Sequence, residues 1–180
     1  MQIKEFKNLV MNRQACRSFI NKDIDKDVLL QIVDTARFAP SACNSQPWKM
    51  YCVSEPSVRE KVLEALQEGG RNAFLSNAAA FIVLSESLGP LKQDVLKRYA
   101  ANHFVKYDIG ELAAYVTLTA KSLGVDSCII GWMNHEKLST ALSFIEGESC
   151  NIVVALGYSE IPTREKDRKP FEQSVKLILE

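Results

Sequence analysis

The chain has 180 residues, 47% of them hydrophobic and 24% charged, with 22 Lys and Arg against 22 Asp and Glu. A chain of this size can bury roughly 70% of its unfolded surface, and its balanced charge excludes a global field drawing it to nucleic acid or an anionic membrane. The five cysteines, at 16, 43, 52, 128 and 150, contain no CxxC pair, and His103 and His135 are the two histidines, so reduced thiols and no metal centre are expected.

The opening stretch MQIKEFKNLVMNRQ lacks the apolar run of a signal peptide, and no apolar window approaches the roughly 18 residues of a membrane span. A cytoplasmic protein without membrane partners is expected. Ile3, Phe6, Leu9 and Val10 share one face of a helix over 2–12. Val28, Leu29, Ile32, Val33 and Ala36 do the same after an Asp-rich start, and that helix stops before Pro40.

Residues 39–48, APSACNSQPW, follow. A plain turn needs about two to six residues and little chemistry, yet this connection gathers prolines, amides, hydroxyls and a thiol, as a segment that holds something would. WKMYCVS then alternates as a strand, Pro56 opens a helix through Leu66 closed by Gly69-Gly70, and AAAFIVLSE reads as a buried strand.

A charged helix is expected over 90–101. Ile109, Leu112, Ala113, Val116, Ala120 and Leu123 trace a long apolar face that ends at Gly124. SCIIG, a short helix begun by Asn134, NIVVALGY and a last strand at VKLIL complete the order. Without repeats or linker-like runs, this predicts one domain over 1–180, an α+β fold with a mixed sheet covered by helices.

Two basic clusters stand out in this neutral chain: Arg13 and Arg17, four apart at the end of the first helix, and Arg164, Lys166, Arg168 and Lys169 after the strand ending at Tyr158. Solvated charge is one reading. The other is convergence on a phosphate, since each charge-assisted hydrogen bond contributes about 1.5–3 kcal/mol. There is no Ser-His-Asp signature, and neither a GxGxxG turn nor a GxxxxGK[ST] loop is present.

Arg13-Gln14-Ala15-Cys16-Arg17-Ser18-Phe19 and the APSACNSQPW stretch resemble the paired signature of the FMN-dependent nitroreductase family, Arg-Arg-Ser-x-Arg-x-Phe and Ala-Pro-Ser-x-x-Asn-x-Gln-Pro-Trp. Leu123-Gly124, Ile130-Gly131-Trp132, Leu156-Gly157-Tyr158 and the basic tail follow in the family's order. The resemblance implies a mainly antiparallel sheet flanked by helices and an intertwined homodimer.

It also implies roles. Arg13 resembles the arginine that grips the FMN phosphate, with Lys166 and Arg168 completing the grip. Arg17 resembles the cation at the pyrimidine edge of the isoalloxazine, a candidate for tuning the flavin. Gln14 stands for the usual basic or histidine neighbour and Ala15 for the usual serine, which removes a hydroxyl from the cofactor site. Pro40, Ser41, Ala42 and Asn44 would reach the flavin bound mainly by the other subunit, while Gln46, Pro47 and Trp48 anchor the loop. Ile130 and Gly131 would pack beside the ring. Trp132 fits either a ring stack or, as favoured, the core, and Cys43 is read as packing. Asn102, His103 and Phe104 would cover the substrate face, and no acid or base is assigned, because solvent can supply the proton.

The function so implied is an oxidoreductase in which NAD(P)H reduces FMN and a nitroaromatic, quinone or similar acceptor follows by a ping-pong mechanism. A free-flavin or enone reductase of the same family and a non-catalytic flavin-binding module are the alternatives.

Overall fold

The computed structural model describes residues 2–87, 93–100 and 103–179. Helix α1 spans Ile3–Asn12 and α2 Lys26–Ala36; after a 3-10 turn at Ala42–Asn44 come strand β1, Trp48–Val53, and helix α3, Pro56–Leu66. Strand β2, Ala80–Glu86, precedes helices α4, Gln93–Arg98, and α5, Val105–Ser122. Strand β3, Asp126–Ile130, helix α6, His135–Leu142, strand β4, Ser149–Gly157, and the short helix α7, Phe171–Ser174, finish the order.

The boundaries have local causes. Pro56 takes the first position of α3, where its missing N–H costs nothing, and the Glu55 carboxylate accepts the amide hydrogens of Ser57 and Val58. Asn134 caps α6 by accepting from the Lys137 amide at 2.9 Å. Gly124, at φ +77, turns the chain out of α5 in the left-handed conformation that other residues adopt at a cost.

The four strands run in the order β1-β2-β4-β3, and every neighbouring pair is antiparallel. The expected mixed sheet is therefore corrected: parallel pairing is reduced to one isolated bridge, Ala15 to Ser127, where the segment after α1 touches β3.

Period-two alternation sends Ile82, Leu84, Val154 and Leu156 to one face with Ile32, Leu112 and Val116, and Phe81, Val83, Val153 and Ala155 to the other with Val62, Leu66 and Leu138. Helices α2 and α5 cover the first face, α3 and α6 the second, so the middle strands are buried on both sides.

Of the helix expected over 90–101, residues 93–98 are helical, while 90–92 and 101 lie outside the described residues, as does Asn102. VKLIL is not a strand. Val175 leaves α7 extended, but no described strand of this chain pairs with it, and Leu177, Ile178 and Leu179 remain exposed. An apolar segment becomes a strand only when a partner completes its ladder.

Candidate functional site

Helix α1 stops at Asn12, and Arg13 is already extended at φ −67, ψ 123. Arg13 and Arg17 therefore do not share a helical turn, as their spacing suggested. They lie on the irregular segment after α1, which meets the sheet in isolated bridges at Ala15 and Ile20. Three ties hold that segment to the sheet. The Cys16 amide donates to Ser127 O and the Ile20 amide to Tyr158 O, both at 2.9 Å, and the Phe19 ring packs against Gly157.

The chain following β4 returns to the same place. Lys166 Nζ donates to Arg13 O, and Arg164 Nη2 donates to Ala15 O at 3.0 Å. The Gln14 carboxamide works as a bracket: its Oε1 accepts from the Arg164 amide at 3.0 Å, and its Nε2 donates to Pro162 O at 3.3 Å. Gln14 is thereby occupied in joining the two segments.

Burial and then the neighbouring charges of Arg13, Arg168, Arg164 and Lys121 push the Lys166 ammonium below its usual range. Lys121 has its own partner in Asp126, at 2.9 Å, but among the described residues no carboxylate pairs with Arg13, Arg17, Arg164, Lys166 or Arg168. Cations gathered without a counter-ion repel one another, and an anion between them removes that repulsion and gains several charge-assisted hydrogen bonds. The donor set fits a phosphate. Beside it a cleft of about 140 Å³ opens among Gln14, Ala15, Arg17, Ser18, Ile161 and Arg164. A hollow of about 520 Å³ between α3 and α6 is roomier, but its lining balances Lys61 and Lys137 with Glu64 and Glu136, and Lys137 pairs with Glu68 at 3.4 Å.

The 39–48 loop is held in an uncommon shape. Cys43, Asn44 and Gln46 have φ of 54, 53 and 46, and each such residue other than glycine or asparagine costs about 1–2 kcal/mol. Of the expected anchor, Pro47 is buried and Trp48 packs on the core with α2 and α5, while Gln46 is exposed and its side chain bonds Asn44 O inside the loop. Pro40, Cys43 and Asn44 are exposed, with Ser41 and Ala42 half-buried. The packing assigned to Cys43 is thereby corrected: the left-handed backbone turns this thiol outward.

Ile130 buries its side chain, while Gly131 is exposed and offers backbone. Trp132 is 52% exposed, with the Arg71 guanidinium 4.0 Å from its ring centre, so the expected core position is corrected too. Core positions beside it are taken by Ile130 and Met133. His103 stacks on Tyr99 with centroids 4.9 Å apart and meets Phe104 edge-on at 4.7 Å.

The sequence placed Arg164 in the basic cluster but did not show its ties to Gln14 and Ala15, and two further residues, Asn72 and Asp108, were missed. Asn72 Nδ2 bonds Leu66 O at 2.9 Å and Trp132 O at 3.2 Å, tying the turn after α3 to the Gly131 segment. Asp108, buried on α5, accepts the Ala42 amide hydrogen at 3.0 Å. Its signal was available, since Asp108 lies four residues before Leu112 and eight before Val116, on the apolar face of α5.

The site thus joins a two-faced α+β domain to a cationic surface with no carboxylate partner among the described residues. Residues 10–158 match the model of the nitroreductase family. An Archaeoglobus fulgidus protein named as an NADH dehydrogenase/NAD(P)H nitroreductase is 30% identical over 169 residues, covering 92% of this chain and 90% of its own length. Two solved structures share the fold. A nitroreductase family protein of Streptococcus pneumoniae superposes with a TM-score of 0.82 at 21% identity, over 96% of this chain and 100% of that one. A Staphylococcus epidermidis protein described as an NAD(P)H:FMN oxidoreductase gives 0.80 at 19%, over 99% and 98%. The chain belongs to the nitroreductase family, a family of oxidoreductases.

Proposed function

We propose that the protein is an FMN-dependent oxidoreductase that takes a hydride from NAD(P)H and reduces nitroaromatic, quinone or similar acceptors by a ping-pong mechanism. The observation that carries this is the cationic cluster, in which Arg13, Lys166 and Arg168 meet without a carboxylate.

When bound, FMN supplies the two-electron chemistry, accepting a hydride and passing electrons on. The chain's own residues do the rest. Arg13, Lys166 and Arg168 hold the phosphate, and Arg17, four residues further along the segment after α1, brings a fixed cation to the ring edge where reduction places charge. Ile130 and Gly131 offer backbone to the ring. No acid or base is assigned.

The working unit in this reading is a cytoplasmic homodimer of the whole chain, 1–180. A cleft of about 140 Å³ is smaller than the 300 Å³ or more typical of a cofactor site, which suits a site completed by a second copy. Pro40, Ser41, Ala42 and Asn44 of the partner's loop would complete it. Support for the dimer comes from α1, which buries no residue and exposes Ile3, Phe6, Val10 and Met11, and from the exposed Val175–Leu179 tail. Five free thiols agree with a reducing compartment.

The test is direct. Purified protein should be yellow and release FMN on denaturation, and should consume NAD(P)H steadily when a nitroaromatic or quinone is added. Protein that stays colourless after incubation with FMN, or that binds FMN without turnover, would reject the cofactor or the activity respectively.

A further inference from the structure

Asp108 sits in the first turn of α5, directly beneath the 39–48 loop, and is 4% exposed. Its Oδ1 accepts the Ala42 amide hydrogen at 3.0 Å, while Oδ2 is buried and, among the described residues, has no hydrogen-bond partner. Taking a carboxylate out of water with only part of its hydrogen bonding replaced is unfavourable, so its presence calls for a role that an apolar residue could not fill.

What it grips is the left-handed run at Cys43, Asn44 and Gln46. The other ties across 41–46 begin and end inside the loop: the Gln46 amide to Ser41 Oγ at 2.9 Å, Gln46 Nε2 to Asn44 O at 3.2 Å, and the Asn44 and Ser45 amides to Ser41 O and Ala42 O. The C-terminal end is held to the sheet, where the Trp48 amide donates to Gln46 O at 2.8 Å and the Ser87 amide to Pro47 O at 3.1 Å, so what the bonds inside 41–46 leave open is the placement of the Ser41–Asn44 half. The Asp108 bond joins that half to a helix whose neighbours Ile109 and Leu112 are fully packed, and so fixes where it sits.

We propose that Asp108 is a positioning residue for flavin binding: by holding the Ala42 amide it fixes the shape and placement of residues 41–44, and with them the direction in which Ser41, Ala42 and Asn44 face the cofactor. The proposal rests on the FMN reading above. Asp108 acts through the loop and touches no cofactor atom. Its grip needs one acceptor oxygen and no charge, which separates two substitutions. Asp108→Ala removes the acceptor, whereas Asp108→Asn keeps it and places an amide where the unpartnered oxygen lies.

Cys43 and Cys52 are both exposed, and Cys43 is on the loop while Cys52 is on β1, so thiol alkylation followed by peptide mapping reads the loop with an internal control. In the full-length, flavin-free protein, Cys43 should alkylate several-fold faster in Asp108→Ala than in the wild type, at the wild-type rate in Asp108→Asn, and Cys52 should not change. FMN and riboflavin should both bind about tenfold more weakly to the alanine variant, since the loop meets the ring and not the phosphate, and asparagine should restore both. Wild-type alkylation in the alanine variant would overturn the proposal. So would an asparagine variant that behaves like alanine, since that would make charge the essential property. A wild-type protein that takes up no flavin would instead sink the FMN reading, and the Cys43 rates would then show separately whether Asp108 places the loop.

Discussion

Phe19 occupies the space that a side chain at position 157 would need: a β-carbon on Gly157 would lie 2.6 Å from Phe19 Cδ1 and 3.3 Å from Cγ. One residue further on, the Ile20 amide donates to Tyr158 O. This pair fixes the segment carrying Arg13 and Arg17 against the end of β4.

Gly157→Ala should therefore destabilise the protein. The Phe19 ring is buried and aromatic, so it cannot swing aside as a flexible chain end would, and overpacking of this kind costs about 1–3 kcal/mol. At this chain length that lowers the melting temperature by about 2–4 °C per kcal/mol. Phe19→Leu in the same background should recover part of the loss. Calorimetry on the four proteins of the cycle checks this, and strict additivity would show that the two positions do not interact.

Arg13→Gln should weaken FMN by about tenfold or more, at 1.4 kcal/mol per decade, while riboflavin, which lacks the phosphate, should lose much less. Fluorescence titrations with both ligands measure the difference. Equal losses would assign Arg13 to folding, where its carbonyl already accepts from Lys166.

Acid should remove a further piece of stability at the other end of the sheet. Burial works to raise the Glu148 carboxyl, but hydrogen bonds from Ser85, Tyr51 and the Ile145 amide, with the charge of Lys49, outweigh it and hold it below the usual 4.5. Since the folded value is the lower one, the unfolded chain binds the proton more readily. The stabilisation is therefore fully present above about pH 4.5 and is lost as pH falls through the depressed folded value. Urea unfolding between pH 7 and pH 3 should show a shallower acid decline for Glu148→Gln than for the wild type. Parallel curves would remove Glu148 from the acid response.

Much of this fold is written in local patterns. The β2 and β4 stretches read as strands because they alternate between two buried faces, and Pro56 and Asn134 mark helix starts with their own chemistry. What failed depended on contacts distant in sequence. VKLIL is apolar like a strand but lacks a ladder partner among the described strands, Trp132 is apolar but its neighbours Ile130 and Met133 fill the core, and Cys43 turns outward on a left-handed backbone that propensity does not announce. Arg13 and Arg17 were visible as a pair, yet the segment that carries them is set by the bridge to β3. Gln14 and Arg164 are 150 positions apart, so their bracket could not be read from spacing.

Arg17 offers the sharpest link between sequence and mechanism. It is exposed, forms no ion pair among the described residues, and follows Arg13 by four residues on a segment that α1 does not include, so it can act at the far end of a ligand whose phosphate Arg13 holds. The thiol beneath it is no competitor for this charge: burial pushes Cys128 above the usual thiol range despite the opposing influence of Arg17. If the guanidinium neighbours the ring edge that becomes anionic on reduction, Arg17→Gln should retain much of the FMN affinity but lower the flavin reduction potential, because the reduced form loses a compensating charge. Hydride transfer from NAD(P)H should slow in step. Arg17→Lys should restore more of the potential than glutamine does, since the charge returns without the planar fork. A dye-equilibrated redox titration of the three FMN-loaded proteins measures this, and an unchanged midpoint in the glutamine variant would return Arg17 to a structural role.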